Sequence, residues 1–112
     1  MAKYETRLTG SFDEWLHRIE NGILEGSVSA SLEDGSDFYS PDGKTRCSVR
    51  VFERYSMAGS NRVSLSVTLF QDSDGAISCS AIASGGCQAT FFKINTWGEA
   101  TFLERFVDLI NG

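Results

Sequence analysis

The chain has 112 residues, 41% of them hydrophobic and 22% charged, with a formal net charge of -5 at pH 7. These values predict one globular domain, residues 1–112, and exclude a disordered chain. Because non-specific binding to nucleic acid or to a membrane surface depends on basic residues, the acidic balance argues against both partners.

Hydropathy and cysteine usage indicate a cytoplasmic protein. No apolar run approaches the length of a membrane span, and the first residues lack the apolar segment of a secretion signal. The three cysteines, Cys47, Cys79 and Cys87, and the one histidine, His17, match no zinc spacing. We therefore expect reduced thiols, with Cys47 and Cys79 on core faces, and neither a metal nor a cofactor.

A short strand and a helix are predicted first. Residues 3–8 alternate apolar and charged side chains, which is typical of an edge strand. Ser11 and Glu14 then form a capping box that opens a helix, and the helix is predicted to end at Gly22 or at Gly26. Its core-facing stripe is Phe12, Trp15, Leu16, Ile19 and Ile23. His17 lies outside this stripe, as expected of a solvated position.

Residues 27–39 predict a second strand with an irregularity in its middle. Val28, Ala30 and Leu32 are expected to face inward. The acidic residues of 33–37 resemble part of a calcium-binding loop, but the terminal glutamate of such a loop is missing. A bulge or bend is the better interpretation, and the proline and glycine of residues 40–43 predict the turn that follows.

Residues 46–71 predict a β-hairpin, with two alternating runs around the Gly-, Ser- and Asn-rich residues 56–61. The side expected to face the core carries Cys47, Val49, Val51, Val63, Leu65, Val67 and Leu69. The opposite side carries Arg46, Ser48, Arg50, Phe52, Arg54, Arg62, Ser64, Ser66, Thr68 and Phe70. The predicted register pairs Val51 with Leu65.

A further strand and a closing helix complete the chain. Residues 72–75 form a turn, after which Ile77, Cys79 and Ala81 face inward, with Leu69 paired to Ile77. Residues 84–86 predict a kink, and residues 88–94 an extended segment. Thr96 and Glu99 form a second capping box. The stripe of the closing helix is Phe102, Leu103, Phe106, Val107 and Ile110, and the helix ends at Asn111 and Gly112.

These elements define an α+β fold in the order β-α-β-β-β-β-α. An antiparallel sheet with two amphipathic helices buries the most apolar surface when both helices pack on its apolar face, and this arrangement has two layers. The same order of elements occurs in TATA-binding-protein-like and helix-grip folds, an analogy that carries no function. We expect the core to contain Trp15, Ile19, Val49, Val51, Leu65, Val67, Phe102 and Phe106.

Three blocks of sequence, residues 29–38, residues 47–55 with 61–65, and residues 84–86 with 91–96, resemble an uncharacterised family of small bacterial proteins. That family is known only as a domain of unknown function (domain-of-unknown-function family 6054). The resemblance spans nearly the whole chain. It implies a stand-alone cytosolic domain, and it supplies no activity, cofactor or catalytic residue.

The polar side of the hairpin is the predicted binding face. In the predicted register Arg54 lies opposite Arg62, and like charges across a ladder are destabilising unless a carboxylate or a bound anion lies between them. The candidate residues are Arg46, Arg50, Phe52, Arg54, Arg62, Ser64, Ser66 and Ser80. A carboxylate of residues 33–37 would also separate the arginines, leaving an ordinary solvated face. The short serine side chains would let a second surface approach closely.

Two classes of function remain open at this point. The first is a non-enzymatic binding or assembly module, most simply a homodimer or a protein partner held on the polar face. The second is a pocket between sheet and helices in which an arginine meets a small anionic ligand. An enzyme ranks third, because no nucleophile or acid/base pair can be named. If the polar face is the working surface, Arg50→Ala and Arg54→Ala weaken association and leave the fold intact.

Overall fold

The computed structural model describes residues 2–26, 29–56, 61–85 and 92–112. The elements are β1 (Ala2–Leu8), α1 (Phe12–Gly26), β2 (Ser31–Tyr39), β3 (Arg46–Ser56), β4 (Asn61–Gln71), β5 (Ile77–Gly85) and α2 (Phe92–Asn111). The predicted order β-α-β-β-β-β-α is confirmed. The predictions for Val28, for Cys87, for the middle of the hairpin connection and for residues 88–91 lie outside the described residues.

The five strands form one antiparallel sheet in the order β1-β5-β4-β3-β2. β1 and β2 are therefore the edges, as expected for β1. The register of β2 shifts between Leu32 and Asp34, so the predicted bulge is confirmed. Gly85 ends β5 with a φ of 99°, and a Cβ there would lie 2.6 Å from the backbone oxygen of Arg62. A side chain at this position would thus be strained and blocked.

Both helices pack on one face of the sheet, which we call the helix side. The hydroxyl of Ser11 accepts the N–H of Glu14 at 3.3 Å, which caps α1, and α1 continues past Gly22 to Gly26. A Cβ on Gly22 would overlap the side chain of Leu109, so glycine brings the two helices close together. The buried core comprises Leu8, Phe12, Ile19, Ile23, Phe52, Val63, Leu65, Val67, Leu69, Ile77, Cys79, Ala81, Ala83, Phe102, Phe106 and Ile110.

The predicted start of the closing helix is wrong. α2 begins at Phe92, so Thr96 and Glu99 lie inside the helix and residues 92–94 are helical rather than extended. A Thr followed three residues later by Glu caps a helix only where the backbone donors are unpaired, and those inside a helix are already bonded to carbonyls of the preceding turn.

β4 faces as predicted, whereas β3 is reversed. Val51 pairs with Ser66 rather than with Leu65, a difference of one residue in register. Because side chains alternate with a period of two, this single step moves every side chain of β3 to the other face. Arg46, Ser48, Arg50, Phe52 and Arg54 therefore lie on the helix side, and Cys47, Val49, Val51, Glu53 and Tyr55 lie on the opposite side.

Because β3 is reversed, two residues expected in the core, Val49 and Val51, are not part of it. Val49 and Val51 are only partly buried and lie outside the core cluster, and Cys47 is also partly exposed. Trp15 is partly buried against the core. The other predicted members are buried. Leu69 pairs with Cys79 rather than with Ile77, and this two-residue difference keeps the inward residues of β4 and β5 on the same side.

Candidate functional site

The eight residues predicted as one binding face are divided between the two sides of the sheet. The helix side holds Arg46, Arg50, Phe52 and Arg54, and the other side holds Arg62, Ser64, Ser66 and Ser80. The prediction of a shared face is therefore wrong, because it depended on the reversed strand β3. Phe52 is fully buried and belongs to the core. A role in binding for the other residues has to be argued for each side separately.

Arg46 joins β3 to the start of α1. Its Nη2 donates to Oδ1 of Asp13 at 2.8 Å, and its guanidinium lies 4.3 Å from the ring centre of Phe12. The hydrogen bond from Arg46 lowers the pKa of Asp13 from its usual value. The arginine head is thus held by a charge partner and an aromatic ring, both from α1.

Arg50 joins three elements. Its Nε donates to Glu20 of α1 at 2.7 Å, and its Nη2 lies 3.1 Å from Oδ1 of Asp37 on β2. The hydroxyl of Ser48 donates to the same carboxylate at 2.5 Å, and this hydrogen bond, followed by that of Arg50, lowers the pKa of Asp37. Gly35 provides room for the arginine, since a Cβ there would lie 2.9 Å from Arg50 Cδ. Asp37, one of the carboxylates of residues 33–37, thus pairs with Arg50 rather than lying between Arg54 and Arg62, which are on opposite sides of the sheet.

Arg54 is held differently from the other two arginines of β3. Its Cζ lies 4.6 Å from the ring centre of Phe102 on α2. Its Nε is buried without a hydrogen-bond partner, and no described carboxylate forms an ion pair with it. Burial, with a smaller contribution from the charge of Arg105, lowers the pKa of Arg54.

The side of the sheet that neither helix covers is here called the open face. Its residues are Lys3, Glu5 and Arg7 on β1; Ser31, Asp34, Ser36 and Phe38 on β2; Cys47, Val49, Val51, Glu53 and Tyr55 on β3; Arg62, Ser64, Ser66, Thr68 and Phe70 on β4; and Ser78, Ser80, Ile82 and Ser84 on β5.

An apolar row crosses the open face from β2 to β4. Phe38 pairs with Cys47, and Cys47 pairs with Phe70, so that two aromatic rings flank a thiol on adjacent strands. Phe38 is 63% exposed and Phe70 is 40% exposed. Of the six large hydrophobic side chains that are exposed in the described part of the chain, four lie on this face, since Tyr55 and Ile82 join the two phenylalanines.

Short hydroxyl side chains occupy most of the open face on β4 and β5. The hydroxyls of Ser64 and Ser84 hydrogen-bond across β4 and β5 at 2.8 Å. A shallow depression of about 500 Å³ lies beside Phe70 and is lined in part by Thr68 and Ser80. On β4 and β5 the face is therefore low in relief, because most of its side chains there are serine or threonine.

Charges on the open face nearly balance. Arg62 forms an ion pair with Glu53 at 3.1 Å. Glu33, in the bulge of β2, hydrogen-bonds with Ser31 and adds its charge to the surroundings of Arg62. The basic residues are Lys3, Arg7 and Arg62, the acidic ones are Glu5, Asp34 and Glu53, and Glu33 of the bulge adds a fourth negative charge at the edge of the face. Three positive and four negative charges leave this face close to neutral in a chain of net charge -5.

Sequence reasoning missed the apolar part of the open face. Val49 and Val51 alternate as a core strand does, and this pattern placed them inward. The available signal was Phe52, a large aromatic among the arginines of the other face, which shows that both faces of β3 contain apolar residues. Phe38 was predicted to lie in a strand and was given no function.

Metal sites and membrane-spanning helices can be assessed for the described residues. Within them, no three His, Cys, Asp or Glu side chains are grouped as metal ligands. No helix in the same part of the chain is long and apolar enough to cross a membrane. His17 is exposed on α1, as predicted.

Fold and surface together define a two-layer α+β domain with one uncovered sheet face. The whole chain, residues 1–112, matches the model of a family described as a family of unknown function (DUF6054), and the chain belongs to that family. The membership predicted from the three sequence blocks is confirmed. No curated protein and no solved structure matches the chain.

Proposed function

We propose that the protein is a non-enzymatic assembly module that binds a second copy of itself through the open face. The observation that carries this proposal is the row of Phe38, Cys47 and Phe70, which lies near one end of strands β2 to β4 on the sheet face that neither helix covers, with both aromatic rings exposed. Exposed apolar groups grouped on one surface, rather than scattered singly, are typical of interaction sites. Arg62, Ser64, Ser66 and Ser80 belong to this surface, and the arginines on the helix side do not.

The size of the open face suits a dimer. The sheet has five strands, the shortest of 7 residues and the longest of 11. With strands about 4.8 Å apart and about 3.3 Å per residue, the face measures roughly 24 by 30 Å, or about 700 Å². A standard stable interface covers about 800 Å² on each partner. Two open faces in contact would therefore bury an area close to that standard.

Charge also favours a second copy over an oppositely charged partner. The face carries three positive and four negative charges, whereas the chain as a whole has a net charge of -5. Two such faces can meet without strong repulsion, and Arg62 of one copy can approach an acidic side chain of the other. Face-to-face sheets pack about 10 Å apart, a separation that serine and threonine side chains permit.

A bacterial, cytoplasmic setting is part of the proposal. Cys47 and Cys79 are both unpaired in the structure, and reducing compartments keep thiols in that form. Cys47 would be enclosed by the interface, since it lies between Phe38 and Phe70.

Adjacent residues of β2 provide a matched test. Phe38 and Tyr39 are 63% and 62% exposed and point to opposite faces, with Phe38 on the open face. We expect Phe38→Glu to convert a dimer into a monomer, because a carboxylate would be desolvated at the interface. Tyr39→Glu should remain a dimer. The measurement is mass in solution by sedimentation equilibrium, with thermal melts to show that both variants are folded.

Three results decide the proposal. A dimer that Phe38→Glu and Phe70→Glu both disrupt, and that Tyr39→Glu does not, supports it. A wild-type chain that stays monomeric at every concentration contradicts self-association. A dimer that survives both open-face substitutions shows that another surface holds the copies together, and this also overturns the proposal.

A further inference from the structure

Arg54 and Arg105 bring two guanidinium groups together on the helix side of the sheet. Arg54 lies over the ring of Phe102, with its Cζ 4.6 Å from the ring centre. Arg105 follows Phe102 by three residues on α2, and residues at this spacing are neighbours on a helix surface. Both cations are therefore next to the same aromatic ring, at the end of the molecule where α1 terminates.

The side chain of Arg105 is held in this position. Its Nη1 donates to the backbone oxygen of Gly26, the last residue of α1, at 2.9 Å. This bond leaves the other donors of the guanidinium group available, since the group carries five. Arg54 has a buried Nε without a hydrogen-bond partner, and no described carboxylate is paired with it. A buried donor without an acceptor is unfavourable, and more so when it is charged.

A groove adjoins Arg105 and the Phe102 ring over which Arg54 lies. It lies between α1 and α2, has a volume of about 290 Å³, and is lined by Gly22, Ile23, Gly26, Phe102, Arg105 and Leu109 among others. Its aliphatic and aromatic walls suit the apolar part of a small organic ion. Asp108 lines the same groove, three residues beyond Arg105, so its negative charge disfavours an anion at that part of the groove.

We propose that Arg54 and Arg105 bind a small oxyanion, a carboxylate or a phosphate, at the Phe102 end of the groove between α1 and α2. The oxygen atoms of the anion bridge the terminal nitrogens of the two guanidinium groups, so that it neutralises two like charges. The planar fork of arginine suits both anions, because either accepts two parallel hydrogen bonds. This site is on the opposite side of the sheet from the open face and is independent of self-association.

Thermal stability with added anions tests the site. The probes are inorganic phosphate and acetate, each compared with sodium chloride at equal ionic strength, because salt alone screens the repulsion between two arginines. A ligand that binds the folded state raises Tm in a saturable way. We expect phosphate, acetate or both to do so with the wild-type chain, and the difference between them to show which oxyanion the site prefers.

Three single substitutions complete the experiment. Arg54→Gln and Arg105→Gln should each weaken the apparent affinity at least tenfold. Lys44→Gln, in the exposed turn between β2 and β3, should leave it unchanged. Arg105 is exposed, so its variant is expected to fold even if Arg54→Gln does not. A wild-type response no larger than that of sodium chloride overturns the proposal, as does an undiminished response in Arg105→Gln.

Discussion

β3 and β4 are adjacent strands of 11 residues each, and they present very different side chains to the same helix layer. β4 presents aliphatic residues there, all buried: Val63, Leu65, Val67 and Leu69. β3 presents Arg46, Ser48, Arg50, Phe52 and Arg54. The two strands are adjacent in the sheet. The difference between them therefore arises from their other neighbouring strands, β2 and β5, and from how the helices cover each strand.

The difference shows that the covered side of this sheet contains two kinds of environment. β4 lies between β3 and β5, under both helices, where apolar burial is the main stabilising term. β3 lies at the border of the helix layer, next to the fully exposed strand β2. There Arg46 and Arg50 bury their aliphatic stems, and the charged ends meet Asp13 and Glu20 of α1. Charge pairing at the border thus complements apolar packing at the centre.

The sharpest test of the comparison exchanges a valine for aspartate on each strand. Val67→Asp should destabilise the domain by at least about 4 kcal/mol, because it buries an unpaired charge in the core. Val49→Asp, on the open face between Ser36 and Thr68, should cost about 1 kcal/mol. Urea unfolding of both variants measures the difference. If Val49→Asp proves the more damaging of the two, the assignment of faces is wrong.

Removing a cation from each side should give the next largest difference. Arg50→Met leaves the carboxylates of Glu20 and Asp37 without their partner and should cost about 2 kcal/mol, because the arginine side chain is only 12% exposed. The sequence analysis placed Arg50 on a solvent-exposed face, where its substitution would leave the stability of the fold unchanged. Arg62→Met should cost less than about 0.5 kcal/mol, since Arg62 is 60% exposed. Chemical denaturation gives both values, and equal costs would show that Arg50 adds no more than an ordinary surface ion pair.

Acid provides the smallest and most selective test. Hydrogen bonds from Ser48 and Arg50 lower the pKa of Asp37 below its usual 3.8. The stabilisation from this carboxylate is therefore complete above about pH 4 and is lost as the pH falls through the lowered pKa. We expect the difference in Tm between the wild-type chain and Asp37→Asn to be steady near neutral pH and to shrink toward pH 2. A difference that stays constant over that range would rule out ion pairing as its source.

Much of the fold was predictable because β1, β4 and β5 each have one clearly apolar side. Leu8, Leu65 and Ala81 fall on those sides, and the helix stripes that meet them were also identified correctly. β3 was not predictable in this way, since Val49 and Val51 compete with Phe52 and three arginine stems for the core side. Its face depends on a one-residue choice of hairpin register, which alternation alone does not determine.

The partners of the arginines come from distant parts of the chain. Asp13 and Glu20 precede Arg46 and Arg50 by 33 and 30 residues. One signal was available in the sequence. Asp13 and Glu20 are seven residues apart, which is about 10.5 Å along a helix, and Arg46 and Arg50 are four residues apart, which is about 13 Å along a strand. The two distances are similar, so both acidic residues can reach an arginine when the helix lies along the strand. The sequence contains no comparable signal for the apolar row of the open face. Its three residues lie on three different strands, and they become neighbours only in the observed strand registers.

The position of β1 affects the order in which the sheet can form. Every other neighbouring pair in the sheet joins strands that follow one another in sequence, whereas β1 pairs with β5, with Leu8 opposite Ile77 and Ala2 opposite Ala83. During synthesis on the ribosome, β1 emerges first but has no strand to pair with until β5 has also emerged. We therefore expect the β2–β5 meander to assemble from local hairpins while β1 and its apolar side chains stay exposed, and the closing of this long loop to slow the final step of folding.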